Sequence, residues 1–563
     1  MVLPVFPFLW QVQRLGAVAQ FAFLPLRNDM DISRLLIQIC CAPLLYCLMH
    51  PNCFQTFYAG GAVYIVAMLW IFKSTALNSA IVYLVFLEAM ILVRCGPLFY
   101  HSFRMRGDGV VQQTKTLSSH HNHFTLKEVS RCCRDATTLL YFLSGLHKMN
   151  LDYFSPERGC TFTFVSANLA LYAPTMLPFA HHFGWLASIT SVLLEIGHPI
   201  LTLFAAWNKF EVLLLTGFHL SINTPTPYGA PTFTYTMLHV LCICNLEIYD
   251  ELCHLLNFIG SLVVLKTKKS AIFMTLSLGV LIIGVYTANL ASPEIGLTNE
   301  LIEAHVRAYN CILGLLIFMA ACLQNFRFSY VKHEQLHTEI GHKATTMVIG
   351  IYGNVAYFLL MIMMLLHGLQ PYFGASTIGV FSMYSNLQPY VTTNGKDMNR
   401  HLFMPRAVSA LQGKQIKILE STTSSTFLCA VVRQDRPEIR DQLSNEAGTE
   451  SRINYTPAMH YHQVAIGNSF AECHDYESSE ATLKFKPYLM TKSHFLQLLS
   501  AQRIDQLPSI VEFQDMTTNS VHTLHLPIAN YDSISSLDND IRTQSVLYTV
   551  PFFEDDPVAC YTA

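Results

Sequence analysis

Residues 135–149 read DATTLLYFLSGLHKM, an apolar helical stretch that ends with His147 and Lys148 side by side and runs at once into the polar Asn150 and Asp152. Most of it is membrane-like. An ammonium group at the end of such a segment is costly unless it faces a cavity, a partner or the interface. Two readings stay open: Lys148 snorkels to lipid headgroups from a helix end, or it serves a pocket.

Charge is scarce in the rest of the chain. Of 563 residues, 13% are charged and 52% hydrophobic, with mean hydropathy +0.34. Soluble domains carry about 25% charge, so this chain has too little to coat a globule and reads as a protein of the lipid bilayer. A net charge of -3, with no basic stripe interleaved with aromatics, gives no sign of a nucleic-acid partner. The 16 cysteines are scattered, some inside apolar runs (Cys40 and Cys41, Cys242 and Cys244), and none form a CxxC pair of zinc spacing. The cluster Ser119-His120-His121-Asn122-His123 lacks carboxylate or thiolate ligands at defined spacing and reads as a solvated loop. No metal site is expected.

Residues 1–33 are apolar and aromatic without a basic lead or a clear cleavage site, and read as an interfacial segment rather than a signal peptide. Windows long enough to cross or nearly cross a hydrocarbon core of about 30 Å follow at 34–50, 57–73, 76–93, 132–149, 183–206, 210–223, 231–247, 270–291, 307–324 and 344–367. The run 163–180, with Pro174 and Pro178, reads as re-entrant or interfacial. Lysines and arginines concentrate in 104–131, 248–269 and 325–343, which places those connections in the cytoplasm and everything after about residue 370 on the far side.

Beyond a connecting segment at 371–405, the texture changes. Residues 406–563 alternate apolar and polar in short runs (QIKILEST, TFLCAVVR, YHQVAIG, ATLKFKPYL, SIVEFQ, HTLHLPIA, SVLYTVPFF), the period-2 pattern of half-buried strands, with one helical interruption, SHFLQLLSAQRI. The expected architecture is an α-helical polytopic membrane bundle of about 9–10 spans at 34–370, followed by a small β-rich extramembrane domain. Cys429, Cys473 and Cys560 can supply one disulfide there, with Cys160 a further candidate.

Within the membrane half, three segments carry chemistry. Lys148 works as a base only when neutral, the form that a water-poor pocket favours. Tyr141 and Ser144 lie seven and four residues earlier on the same helical face; they either bond the amine or a ligand, or form a packing seam. Glu195 and His198 share a face of the 183–206 span beside Pro199, as a proton relay or as a mutual hydrogen bond that fixes packing. His219 and Asn223 sit one turn apart at the end of the 210–223 span. A neutral His219 there can donate to a quinone or carbonyl oxygen and stabilise an oxyanion; the alternative is an ordinary helix end.

Together these segments resemble the vitamin K-dependent γ-carboxylase and the wider family built on the horizontally transferred transmembrane (HTTM) domain. Its lysine-bearing span is similar to Tyr141-Phe142-Leu143-Ser144-Gly145-Leu146-His147-Lys148-Met149-Asn150-Leu151-Asp152, and its later segments to Glu195 through Pro199 and to Phe218-His219. The resemblance covers roughly 60–370; Phe381-Ser382-Met383-Tyr384-Ser385-Asn386-Leu387 is similar to a motif that follows the membrane region in some members. It implies an enzyme in which Lys148 is the base for vitamin K hydroquinone or another lipid-soluble reduced quinone and His219 lines the same pocket. Tyr141, Ser144, His147, Glu195, His198 and Asn223 are the expected cofactor-contacting residues. O2 and CO2 are the implied co-substrates, a protein bound at the β-rich domain the implied acceptor, and the endoplasmic reticulum the implied membrane in a eukaryote. His147 stands where the carboxylase has a second lysine, Tyr153-Phe154 replace an aspartate-tryptophan pair, and the C-terminal domain is shorter.

Two other classes compete with the enzyme: a transporter with Lys148, Glu195, His198 and His219 along an intramembrane path, and a non-catalytic platform whose β-domain binds a partner. Orientation is open to a direct check, because Asn454-Tyr455-Thr456 is a glycosylation sequon. In a glycosylating host Asn454 should acquire a glycan, seen as a gel shift reversed by endoglycosidase; an unmodified Asn454 would argue against a lumenal C-terminal half.

Overall fold

The computed structural model describes residues 54–74, 79–107, 114–151, 153–154, 159–204, 209–223, 231–262, 296–327, 338–373 and 381, the strands given below, and Trp10, Gln11, Arg14, Cys40, Pro43 and Leu44. These residues are mostly helical: α1 Phe54–Ser74, α2 Ser79–Gly107, α3 Thr114–Lys148, α4 Cys160–Tyr172, α5 Ala180–Phe204, α6 Lys209–Asn223, α7 Pro231–Cys244, α8 Leu246–Leu262, α9 Gly296–Arg327 and α10 Thr338–Gly368. Ser79–Gly96, Pro174–Thr202 and Val306–Leu323 are long and apolar enough to cross a membrane; Phe57–Leu69, Phe233–Cys244 and Gly353–Gly368 are shorter apolar helices.

Helix α5 shows what solvent it is built for. Its exposed face carries Trp185, Leu186, Ile189, Leu193, Ile200 and Leu201, and its buried face Ser188, Ser191, Glu195 and His198. A helix in water has the reverse arrangement. An apolar surface of this extent is stable against lipid, and the polar side chains are those that must turn inward. Helix α9 repeats the pattern, with Ile312, Leu315 and Phe318 outward and Asn310 inward.

Several helices extend past the apolar windows. The expected connection 104–131 is helical up to Gly107 and again from Thr114, so the histidine cluster at 119–123 lies on helix α3, not in a loop. Likewise the basic connection at 248–269 is helical in its first part, as α8. Hydropathy marks the solvent around a helix, whereas backbone hydrogen bonding continues through polar residues. Between α4 and α5, Pro174 opens a 3-10 turn, Pro174–Phe179, while Ala173 N–H closes α4 on the Leu169 carbonyl at 2.9 Å. The expected spans 34–50 (Cys40, Pro43 and Leu44 apart) and 270–291 lie outside the described residues, as do the helix at 493–504, the sequon, Cys429, Cys473 and Cys560.

Contacts divide the chain into two compact units. The first comprises Met1–Lys73, Tyr83–Leu140 and His198–Met364. In it α6, α7, α8 and α9 pack together. Of the segment expected at the interface, Trp10, Gln11 and Arg14 are buried instead. The reason is electrostatic: Arg14 meets Glu88 of α2 through Nε at 2.6 Å and Nη2 at 2.5 Å, Trp10 donates to the same carboxylate, and Arg14 Nη1 donates to the Phe57 carbonyl at 2.7 Å. Arg94 of α2 pairs with Glu128 of α3, also buried, and stacks over Tyr357, whose hydroxyl donates to Asp135 at 2.7 Å.

The second unit comprises Ser74–Val82, Tyr141–Gly197 and Leu365–Ala563. Each described strand overlaps one of the alternating runs: β1 Gln415–Ser421, β2 Ala430–Val431, β3 Gln463–Val464, β4 Tyr488–Thr491, β5 Ile510–Asp515, β6 Ser520–His525 and β7 Phe552–Phe553. Five pair as an antiparallel sheet in the order β6-β5-β1-β4-β7, with a register shift between Ile418 and Glu420; β2 and β3 pair separately. Phe513, buried, stacks on His522 directly across the β5–β6 ladder, the cross-strand pairing that fixes register.

Removing one partner of a buried ion pair strands the other charge. Glu88→Ala should therefore destabilise the protein by about 3–5 kcal/mol, measured as a lowered melting temperature in detergent, while a surface substitution such as Leu193→Ile leaves the melt in place.

Candidate functional site

Lys148 is the last residue of α3, and its position is set by the way that helix stops. Asn150 Nδ2 donates to the His147 carbonyl at 2.8 Å, and Asn150 Oδ1 accepts from Tyr153 N–H at 2.9 Å. One side chain thus caps the helix end and starts the next turn, satisfying backbone groups that would otherwise be orphaned. A cation at a helix C-terminus is also favoured by the helix dipole.

The Lys148 side chain is buried, 4% exposed. Nζ donates to Glu195 Oε1 at 2.5 Å and to Ser144 Oγ, one turn back on the same face, at 3.3 Å. It also stands 5.8 Å from the centre of the Tyr153 ring, within cation–π range. The Tyr153 hydroxyl donates to Ser191 Oγ at 2.9 Å and accepts from Thr161 Oγ1 at 2.7 Å. Burial pushes the Tyr153 phenol above its ordinary range, with Lys148 offsetting part of the effect, so at neutral pH it keeps the proton it donates.

Glycine makes the helix approach that joins Lys148 to Glu195. A Cβ added at Gly145 would lie 2.7 Å from Ile196 Cγ1 and 3.0 Å from the Glu195 backbone carbonyl carbon. Only a residue without a side chain lets α3 and α5 come this close, the small-residue contact common between membrane helices.

The sequence-selected residues divide between the two units. Tyr141, Ser144, His147, Lys148 and Glu195 belong to the second. Ser144, Lys148 and Glu195 form the cluster; Tyr141 is buried on the same helix, and His147 is buried with its ring stacked on Tyr372 at 5.4 Å. His198, His219 and Asn223 belong to the first. The Glu195 carboxylate goes to Lys148, and His198 Nδ1 faces Glu211 Oε1 at 3.9 Å. The His219 ring packs against Phe218 and Phe233, and its carbonyl accepts from Thr234 Oγ1 at 3.1 Å. Asn223 accepts from Asn310 Nδ2 at 2.8 Å, and Arg307 donates to its backbone carbonyl, an arrangement that closes the end of α6.

Tyr153, Thr161, Ser191 and Glu211 were not selected from the sequence. Ser191 had a signal, standing four residues before Glu195 and so one turn away on its face; the others had none in local pattern. Among the described residues no group of three or more His, Cys, Asp or Glu side chains is placed to hold a metal. Cys160, at the start of α4, is disulfide-bonded. Comparison with protein-family models, curated proteins and solved structures yields no match.

The helix contact predicts a graded effect. Gly145→Ala should lower the melting temperature and Gly145→Val should lower it further, because each added carbon meets Ile196 and the Glu195 backbone. Introduced cysteines at positions 144 and 195 should cross-link in the parent protein and lose that cross-link in the valine variant.

Proposed function

We propose that this chain is a multi-pass integral-membrane enzyme in which the Lys148–Glu195 pair serves as the base toward a reduced quinone-type cofactor. On this reading it drives proton abstraction and carboxylation, or a related reaction, on an extramembrane substrate. The reading joins the γ-carboxylase-like motif around Lys148 to one observation: a buried amine held by a buried carboxylate, of which one oxygen, Oε2, accepts no hydrogen bond among the described residues. A buried acceptor without a donor is costly, and a hydroxyl-bearing ligand would supply the donor. The residues therefore fit a hydroquinone, and Ser144, Tyr153 and Ser191 would hold it alongside Lys148 and Glu195.

When bound, a hydroquinone supplies the family's reducing chemistry, with O2 and CO2 as co-substrates. The protein's own part is proton management. At rest the pair carries no net charge, and on accepting one proton it becomes a neutral acid beside an ammonium. Apolar surroundings exclude the water that would quench a strong base. His219 as a pocket-lining group rests on the resemblance alone.

The same reading makes the membrane half a polytopic HTTM-like bundle and places the β-sheets on the lumenal side, in the endoplasmic reticulum if the source is eukaryotic. Its supports are the outward apolar faces of α5 and α9 and the Cys160 disulfide, since disulfides persist in oxidising compartments. A transporter is the second reading, favoured by the buried His198–Glu211 pair, because ionisable residues inside spans mark ion paths.

Full-length protein in lipid nanodiscs should oxidise menadiol in the presence of oxygen, and Lys148→Ala should lower the rate by about 100-fold or more, whereas Glu88→Ala, which also breaks a buried ion pair and destabilises to a similar extent, should keep the rate of its folded fraction. Unchanged turnover in Lys148→Ala would remove the pair from the mechanism. No oxidation by the parent protein, with no proton flux in liposomes, would leave a non-catalytic platform.

A further inference from the structure

We infer, resting on the quinol reading above, that the atom which takes the ligand's proton is Oε2 of Glu195 and that Lys148 is its fixed ammonium partner. The site then selects ligands that donate a hydroxyl hydrogen and rejects oxidised forms that only accept.

Two buried glutamates of this protein differ in what they leave for a ligand. Glu88 is closed: Oε1 accepts from Trp10 Nε1 and from Arg14 Nε, and Oε2 accepts from Arg14 Nη2 at 2.5 Å. The planar guanidinium takes both oxygens at once. Glu195 is 2% exposed, and Lys148 is a point donor that occupies only Oε1. Ser144 also hydrogen-bonds the carboxylate, and the second carboxylate oxygen is buried without a hydrogen-bond partner among the described residues. Ser188 Oγ, also fully buried, is in the same condition. Ser188, Ser191 and Glu195 follow at three- and four-residue intervals and so share one face of α5. Open acceptor capacity thus lines one face of a helix, beside the pair.

The amine is the poorer acceptor as it stands. An ammonium has three donors and no lone pair, and Nζ donates to Glu195 Oε1 and Ser144 Oγ. A carboxylate is acceptor-only when ionised. In the transfer, the O–H bond of the ligand breaks with its electron pair left on the ligand oxygen, and a new O–H bond forms at Oε2. The resulting acid stays bonded to Lys148, whose positive charge balances the anion produced. An oxidised quinone presents carbonyl oxygens alone, which set lone pair against lone pair at Oε2, a mismatch that discriminates by repulsion.

The test uses full-length protein in nanodiscs with menadiol, menadione and menadiol dimethyl ether, binding being read anaerobically by thermal shift and rate by oxygen consumption. Menadiol should bind at least about 10-fold tighter than the other two, because a site built around a ligand hydroxyl rejects analogues lacking it. Glu195→Gln, whose amide can donate, should abolish that preference and cost about 100-fold or more in rate, and Glu195→Asp should restore part of both. Lys148→Arg keeps the cation, but a guanidinium takes both carboxylate oxygens, as Arg14 does at Glu88; it should close Oε2 and lose the menadiol preference together with the rate. If Glu195→Gln keeps both preference and rate while Lys148→Ala is inactive, the base is the lysine; this inference falls and the quinol reading stands. If Glu195→Gln does not melt like the parent, Lys148→Arg decides alone, and persistence of the menadiol preference in it overturns the inference. Absence of menadiol binding to the parent protein overturns both.

Discussion

A charge taken out of water must bring its counter-charge with it. Transfer of an ion into an apolar interior costs several kcal/mol even after relaxation, and this chain has little charge to spare. It meets the cost with buried pairs: Arg14 with Glu88, Arg94 with Glu128, and Lys148 with Glu195. The pairs are not equivalent. Arginine binds Glu88 through both oxygens and adds a contact to the Phe57 carbonyl, so it acts as a clamp between segments. Lysine holds only one oxygen of its partner, and the pair it forms is therefore structurally sufficient yet chemically unfinished.

That distinction depends on an inverted packing rule. In α5 the serines, the glutamate and the histidine face inward, and the outward surface is Leu, Ile and Trp. With lipid as the outer solvent, burial of apolar side chains no longer drives helices together. Close backbone approach and polar contacts do that instead, which is why Gly145 matters as much as the ion pair it permits. A side chain at that position would separate α3 from α5 by clash alone.

Much of this was legible in the sequence. The strand runs were visible because alternation is a local signal, and each described strand overlaps one of them. Lys148 and Ser144 were visible as one face because four-residue spacing is also local. The partner of Glu195 was not. His198, three residues on, was the obvious candidate by helical spacing, whereas Lys148 is 47 positions away and reaches it only through a tertiary contact. Helix lengths were understated for a different reason: apolar windows report where lipid is, and α3 also runs through Lys127 and Arg131, ahead of the 132–149 window. Tyr153 is positioned by the Asn150 side chain and meets Thr161 through its hydroxyl, and no periodicity encodes that.

Proton accounting links these features. A pair that is neutral at rest becomes singly positive on accepting a proton, and a lone positive charge in apolar surroundings is the state the fold otherwise avoids. On the proposed reading the proton therefore has to move on before the site can act again. Ser191 stands one turn from Glu195, and from it a hydrogen-bonded series runs through Tyr153 to Thr161, each member a hydroxyl that both donates and accepts. Thr161 adjoins the disulfide-bonded Cys160. On the proposed reading Glu195 would head such a series, whose hydroxyls, now donating toward Ser191, would have to turn before they carried a proton outward, while the lysine held the charge in place.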